Sequence, residues 1–464
     1  MRKRSGTSWP PVLALALALI MASSTGAVPA TAQSAPQGAA IGHIIVIVQE
    51  NRSFDNLYGL FPGANGLANA GDATTQLDLD GKPYAAFPQP LDNYGKLPPQ
   101  ITPDTRFPAD LPNAPYLLSK YVGPNDKHGD TWHRFYQEQW QIDGGKMDKF
   151  VAWSDNGGLV MGYWDFAQLP IHDYASQYTL MDNFFHSAFG GSFLAHQWLI
   201  CACSPQFPTA PPDMRAQLDE KGILIKDGEL RPDGSIVNTV YTAYTPHPSN
   251  VAPERLATPF TLTTIGDRLN EKGIDWAWYA GGWNDALAGA PSPQFKFHHH
   301  PFTYYQQFGD GTEQKALHLK DEADFLAALQ DGSLPPVSYV KPIGDNNQHP
   351  GYASVMQGEQ HLVELLKAIE QSAVWNDSVV IVTYDENGGE WDHVPPPKVD
   401  EWGLGTRVPT LIISPFARRG FIDRTQADHT SILALIEWRF GLQPLGARDA
   451  QANNLTQALM LPGS

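Results

Sequence analysis

Three short runs of aliphatic and β-branched residues stand out along the chain: Ile44-Ile45-Val46-Ile47-Val48, Val379-Val380-Ile381-Val382-Thr383-Tyr384 and Thr410-Leu411-Ile412-Ile413-Ser414. Runs without polar alternation predict strands buried on both faces, as in a parallel sheet covered by helices. The first run ends at Gln49-Glu50-Asn51, the second at Asp385-Glu386-Asn387 followed by Gly388-Gly389, and Pro415 closes the third. Between them Val355, Leu362, Leu365, Leu366 and Ile369 repeat at helical spacing, as do Ile432, Leu435, Ile436 and Phe440. Strands alternating with helices predict an α/β fold, a three-layer sandwich with a mostly parallel central sheet.

Two stretches break this rhythm. Phe61 to Pro124 is rich in Pro, Gly, Asn and Asp without sustained periodicity, and residues 205–260 share the texture. The second includes the hairpin-like Lys226-Asp227-Gly228-Glu229 and Arg231-Pro232-Asp233-Gly234. Insertions near 61–124 and 205–260 are expected to form a loop-rich lobe facing substrate. At the start of the chain, Arg2, Lys3 and Arg4 precede a short apolar run from Val12 to Met21, and Ala30-Thr31-Ala32 offers an A-x-A cleavage site. Residues 1–32 thus read as an export signal, too short in its apolar part to span a bilayer comfortably. The expected product is one α/β domain over 33–464, periplasmic or secreted.

Charge narrows the partners. Losing Arg2, Lys3 and Arg4 moves the formal charge from −18 to about −21, which disfavours nucleic acid. An acidic exterior also repels phosphate, so a phosphate site here needs a local positive centre, from a metal ion or from some of the 15 histidines. The two cysteines, Cys201 and Cys203, are spaced poorly for a bridge, and no structural disulfide is expected.

Candidate chemistry gathers where strands end. Ligands of open α/β sheets bind beyond the carboxyl ends of the strands, where Glu50, Asn51, Asp385 and Glu386 fall. Three carboxylates and an amide oxygen in one crevice repel one another unless a divalent cation joins them; hard oxygen ligands suit Mg, Ca, Mn or Zn. Capping of the following turns is the plainer role for the same residues. His133, the triplet His298-His299-His300, His349 and His393 could clamp phosphoryl oxygens as imidazolium ions and protonate a leaving alkoxide, favouring mildly acidic pH. Gly190-Gly191-Ser192 opens a helical pattern, placing a hydroxyl at a helix amino terminus where anions are favoured. Such a serine is commonly an N-cap; bound to a metal, it becomes a nucleophile. Asp428 reads as a helix cap.

Glu50-Asn51-Arg52-Ser53-Phe54-Asp55, and Asp385-Glu386-Asn387-Gly388-Gly389 through Asp392-His393-Val394, resemble the signature blocks of the bacterial acid phosphatase and phospholipase C family of the alkaline phosphatase-like superfamily. The resemblance runs from about Ile41 to about Leu442. It implies an alkaline phosphatase-like fold, a divalent metal held by Glu50, Asn51, Asp385, Glu386 and the Ser192 oxygen, and phosphate or leaving-group contacts from His133, His298, His299 and His349. His128 competes with His133 for its position. The family's nucleophile block commonly reads T-x-P-N-R, whereas Ser192-Phe193-Leu194-Ala195-His196 keeps the hydroxyl and replaces the proline, asparagine and arginine.

The implied reaction is metal-dependent hydrolysis of a phosphate ester through a Ser192 phosphoenzyme. Small phosphomonoesters are the favoured substrate, because the chain lacks the extra carboxy-terminal modules that resemble lipid-docking domains in longer phospholipases; phospholipid diesters are the alternative. A sulfatase would need a C/S-x-P-x-R setting, which Phe193-Leu194 does not provide. A non-catalytic binding protein is the remaining reading from another class.

Overall fold

The computed structural model describes residues 38–462; the export signal and its cleavage point lie outside the described residues. Among these residues eight strands form one sheet: β1 (His43–Gln49), β2 (Thr179–Met181), β3 (Trp276–Ala280), β4 (Leu319–Asp321), β5 (Val337–Lys341), β6 (Ser378–Tyr384), β7 (Thr410–Ile413) and β8 (Phe421–Asp423). Their spatial order is β4-β3-β5-β1-β6-β7-β2-β8. β1 lies at the centre, parallel to β5 on one side and to β6 on the other, with His43 opposite Ser378 and Gln49 opposite Tyr384. Ile44 to Gln49 are all buried, so both faces of the strand are covered, as its unbroken apolar run requires.

The third run forms a strand as expected but runs antiparallel to both its neighbours, β6 and β2. The reason lies in the connection. Residues 385–409 contain no helix to carry the chain back across the sheet, so it re-enters from the end it left, which forces reversal. That same connection carries the Asp385 to Val394 block.

Five helices carry or brace the site: α1 (Phe54–Tyr58), α2 (Phe135–Ile142), α3 (Ser192–Cys201), α4 (Val355–Gln371) and α5 (His429–Phe440). α4 is amphipathic, burying Val355, Leu362, Leu365, Leu366 and Ile369, and Ser354 caps it by accepting from the Gln357 N–H. α3 is buried on every side and packs against α5. Asp428 is the N-cap of α5 through the Thr430 N–H at 2.7 Å.

Two expectations change. The hairpin near 226 turns earlier, between Gln217–Leu218 and Leu224–Lys226, because the Asp219 carboxylate accepts from both the Lys221 and Ile223 N–H groups at 2.8 Å. The second turn does sit at Arg231 to Gly234. Cys201 and Cys203 form a disulfide. Ala202, the residue between them, adopts a left-handed conformation (φ 49°) where α3 ends, curling the chain until the two Cα atoms are 5.1 Å apart, within bridging range.

Beyond α5 the chain folds back so that Asp449 accepts from the Leu445 and Gly446 N–H groups beside Glu437. Burial, and then the Asp449 carboxylate, raise Glu437 to about 9. The folded state therefore binds this proton more tightly than the unfolded chain, so the stabilisation is full below about pH 4.5 and is lost as pH rises towards 9. Differential scanning calorimetry across that range is expected to show a falling Tm, with a flatter profile for Glu437→Gln.

Candidate functional site

Three neighbouring parallel strands deliver charged residues side by side at their carboxyl ends: Lys341 ends β5, Glu50 follows β1 and Asp385 follows β6. All three are buried. The Lys341 Nζ lies 2.5 Å from Glu50 Oε1, 4.0 Å from Asp385 Oδ2 and 3.3 Å from the Gln49 carbonyl. Asn51 takes the left-handed conformation (φ 58°) that asparagine tolerates better than most residues, and its N–H donates to Asp385 Oδ1 at 3.3 Å. Asp385 Oδ1 also accepts from the Glu386 N–H at 2.9 Å, and Glu386 Oε2 from the Gly388 N–H at 2.5 Å. Glycine is required at 389: φ is +71°, and a Cβ there would sit 2.2 Å from the Trp132 carbonyl. That close approach presses the connection after β6 onto residues 131–133.

Ser192 arrives from a different part of the chain. The N-cap of α3 is Gly191, and no side chain caps it, so the serine hydroxyl is not used for capping. It donates instead towards Glu50 Oε2 and Glu386 Oε1, each at 3.3 Å. One turn on, His196 Nδ1 donates to the Ser192 carbonyl at 2.6 Å and lies 3.7 Å from Asp385 Oδ2. The turn before Ser192 is held by Glu138 of α2: its Oε2 accepts from the Gly190 N–H at 2.6 Å, while Oε1 bonds His186 Nε2 at 2.8 Å. Gly190 (φ +98°) passes so close to Phe135 that a Cβ would lie 2.7 Å from its nitrogen.

Four histidines close the crevice. His133 Nδ1 donates to the Thr131 carbonyl at 2.7 Å, leaving Nε2 3.3 Å from Asn51 Nδ2 and 3.7 Å from Glu386 Oε1. His349 Nδ1 likewise donates to the Pro350 carbonyl at 2.6 Å, leaving Nε2 3.9 Å from Glu50 Oε2. His299 Nε2 is 3.0 Å from Glu50 Oε1, and His298 stands edge-on to it. Ser192, His133, His298, His299 and His349 line a pocket of about 200 Å³, together with Tyr352, which stacks on His349. Glu50, Asn51, Asp385 and Glu386 lie immediately beneath.

The structure separates the other candidates from this crevice. His128 is buried, with its ring against the Gly129 carbonyl at 2.8 Å. His300 is buried beside Trp283. His393, one of the candidate phosphate clamps, and its neighbour Asp392 belong to a network around Arg407: its Nε donates to Asp392 Oδ1 at 2.9 Å and its Nη2 to Asp55 Oδ1 at 3.3 Å, while His393 Nδ1 meets Asp55 Oδ2 at 2.6 Å. Next to it Arg52 Nη1 pairs with Glu390 Oε1 at 2.7 Å. Both signature blocks therefore divide in two, with their first residues facing the crevice and their later ones stitching α1 to the connection after β6. Removing Arg407 strands two buried carboxylates, so Arg407→Met is expected to destabilise the fold by about 3–5 kcal/mol, read by urea denaturation.

Burial disfavours charge on His298, His299, His349 and His196 in the free protein. Burial pushes His298 down to about 3, and burial followed by the Lys341 charge pushes His196 and His299 well below the ordinary imidazole value. Burial, then His133, does the same to His349. An arriving phosphate anion works in the opposite direction and favours their protonation. Among the carboxylates, burial and then Asp385 raise Glu50 and Glu386. Burial opposes ionisation of Asp385 too, but the Lys341 charge holds it below the usual carboxylate range.

A divalent cation fits these residues. Asn51 Oδ1 and Asp385 Oδ2 are buried without a hydrogen-bond partner, a costly state unless a cation satisfies them. Glu50, His196 and Asp385 offer ligand atoms within 4.8 Å of one another.

Three residues at this centre do not stand out in the sequence pattern. His196 is traceable from its i, i+4 relation to Ser192, and Lys341 from its place at the end of an apolar strand. Glu138 gives no signal, because its partner Gly190 is 52 positions away.

The model of the Phosphoesterase family matches residues 41–443. Phospholipase C B of Mycobacterium tuberculosis is 27% identical over 458 residues, covering 90% of this chain and 77% of the relative. The non-hemolytic phospholipase C of Burkholderia pseudomallei is 24% identical over 486 residues, covering 93% and 58% respectively. Among solved structures, a protein in the alkaline phosphatase superfamily from Vibrio parahaemolyticus matches 70% of this chain and 71% of that one, at a TM-score of 0.35 and 11% identity. The chain belongs to the phosphoesterase family and is a phosphoric ester hydrolase.

Proposed function

We propose that the chain hydrolyses phosphate esters through a covalent phosphoserine at Ser192, with small phosphomonoesters as its preferred substrates. One observation carries this reading: a buried serine hydroxyl, free of any capping role, is aimed at two carboxylates where three strand ends meet. Glu50, Asn51, Asp385, Glu386 and the Ser192 oxygen would hold a divalent cation, which when bound would supply Lewis-acid stabilisation of phosphoryl charge and a lower pKa for the hydroxyl. Glu50 and Glu386 orient the hydroxyl. Ser192 Oγ gives its proton to one of the two carboxylates it donates to, Glu50 or Glu386, and forms the new bond to phosphorus as the bond to the leaving oxygen breaks in line. That oxygen takes a proton from one of the pocket imidazoles, and water then attacks phosphorus to release phosphate and restore the serine. His133 and His349 suit the protonation step because their Nδ1 atoms are fixed by carbonyls and their Nε2 atoms face the crevice.

The size and polarity of the roughly 200 Å³ pocket favour a compact phosphoryl group. The second reading, phospholipase C action on phospholipid diesters, is favoured by the relatives that carry that name. Assaying purified protein on p-nitrophenyl phosphate, p-nitrophenylphosphorylcholine and phosphatidylcholine vesicles separates the two: the highest kcat/KM on the first supports the monoesterase, and the highest on vesicles replaces it with the lipase. Export through residues 1–32 belongs to the same proposal. No helix among the described residues is long and apolar enough to cross a membrane.

A further inference from the structure

Beside the phosphate pocket lies a wider cavity of about 710 Å³, and the two share Trp132 and Arg134 in their walls. Three indoles converge on it: Trp132, whose surface is 52% exposed, with Trp140 and Trp153, whose ring centroids are 4.4 Å apart. Trp132 is open to water and the other two indoles are half-buried, and their gathering in one cavity that shares a wall with the phosphate pocket marks a place where a ligand ring can stack.

The polar part of the wall defines that ligand. Arg134 pairs with Asp227, which also accepts from Gln137 Nε2 at 3.0 Å, and Arg255 Nη1 pairs with an Asp213 oxygen at 2.7 Å. The basic residues Arg134, Lys226 and Arg255 balance the acidic residues Asp213, Asp227 and Glu229, so the cavity holds neither a second anion nor a cationic headgroup by net charge. An acyl chain would strip water from these fork-shaped groups and give nothing back. A ring that carries hydroxyls satisfies both parts of the wall, stacking its apolar C–H face on indole while its hydroxyls bond the paired arginine and carboxylate groups.

We infer that the tryptophan-lined cavity is a leaving-group subsite for a hydroxyl-bearing ring, such as a sugar, whose phosphate ester is cleaved in the adjoining pocket. This rests on the phosphoesterase chemistry proposed for Ser192. The test uses the intact protein and three probes: glucose 6-phosphate, glycerol 2-phosphate and phosphatidylcholine vesicles. Trp153→Ala and Arg255→Gln, both at half-exposed positions away from the phosphate pocket, are expected to raise KM for glucose 6-phosphate at least about five-fold. For glycerol 2-phosphate, kcat/KM should stay within two-fold. In the unmodified protein methyl glucoside should quench tryptophan fluorescence saturably, less so in Trp153→Ala. Equal losses on both soluble esters, no change on glucose 6-phosphate, or a loss confined to vesicles would each overturn the assignment, the last in favour of a lipid chain. If Ser192→Ala kept full turnover on glycerol 2-phosphate, the chemistry itself would be misassigned, a failure visible without either cavity variant.

Discussion

Ser192→Ala is expected to lose roughly four orders of magnitude or more in kcat on p-nitrophenyl phosphate, with little change in Tm. On the proposed covalent route the loss is large because the hydroxyl would bond to phosphorus, and no other hydroxyl donates to both Glu50 and Glu386 among the described residues. Stability should hold, since Gly191 and not Ser192 occupies the cap of α3. Acid-quenching during turnover of a radiolabelled phosphate ester adds an independent readout: the wild-type chain should retain label, and the alanine variant none. Undiminished turnover in the variant would remove the covalent route.

The second large effect concerns the cation. Asp385→Asn keeps the shape of the side chain but removes the carboxylate that the Lys341 charge holds below the usual range. Bound divalent metal, measured by plasma mass spectrometry after dialysis, is expected to fall by at least a factor of about 100, since even outer partners of metal ligands contribute 10–100-fold. Activity should fall with it. Exhaustive chelation of the wild type should do the same, with recovery on adding back one of Mg, Ca, Mn or Zn. Full activity after metal removal would refute the role given to these oxygens.

The long central strands are legible because burial on both faces demands an uninterrupted apolar run, and Ile44 to Val48 and Val379 to Tyr384 satisfy it without help from context. β2 and β4 are three residues each, too short for periodicity to register. β3 hides for another reason: Trp276, Trp278 and Tyr279 are bulky residues that serve equally in a lobe or a core. The orientation of β7 is illegible in its own residues, because it depends on the path of 385–409 and not on any property of Thr410 to Ile413. The disulfide is hidden for a similarly local reason, since nothing in an alanine announces the left-handed turn at Ala202.

By itself, the sequence determined that carboxylates follow two buried parallel strands and that a hydroxyl opens a helix, because these are matters of local pattern and of where strands must end. It also carried the motif blocks, without distinguishing their halves. Only the tertiary structure decided that Lys341 stands in line with Glu50 and Asp385, that Asp392 and His393 serve Arg407, and that burial works against charge on His298, His299 and His349. Each of those outcomes turns on which strands are neighbours and on how completely water is excluded, and both are set by contacts between residues hundreds of positions apart.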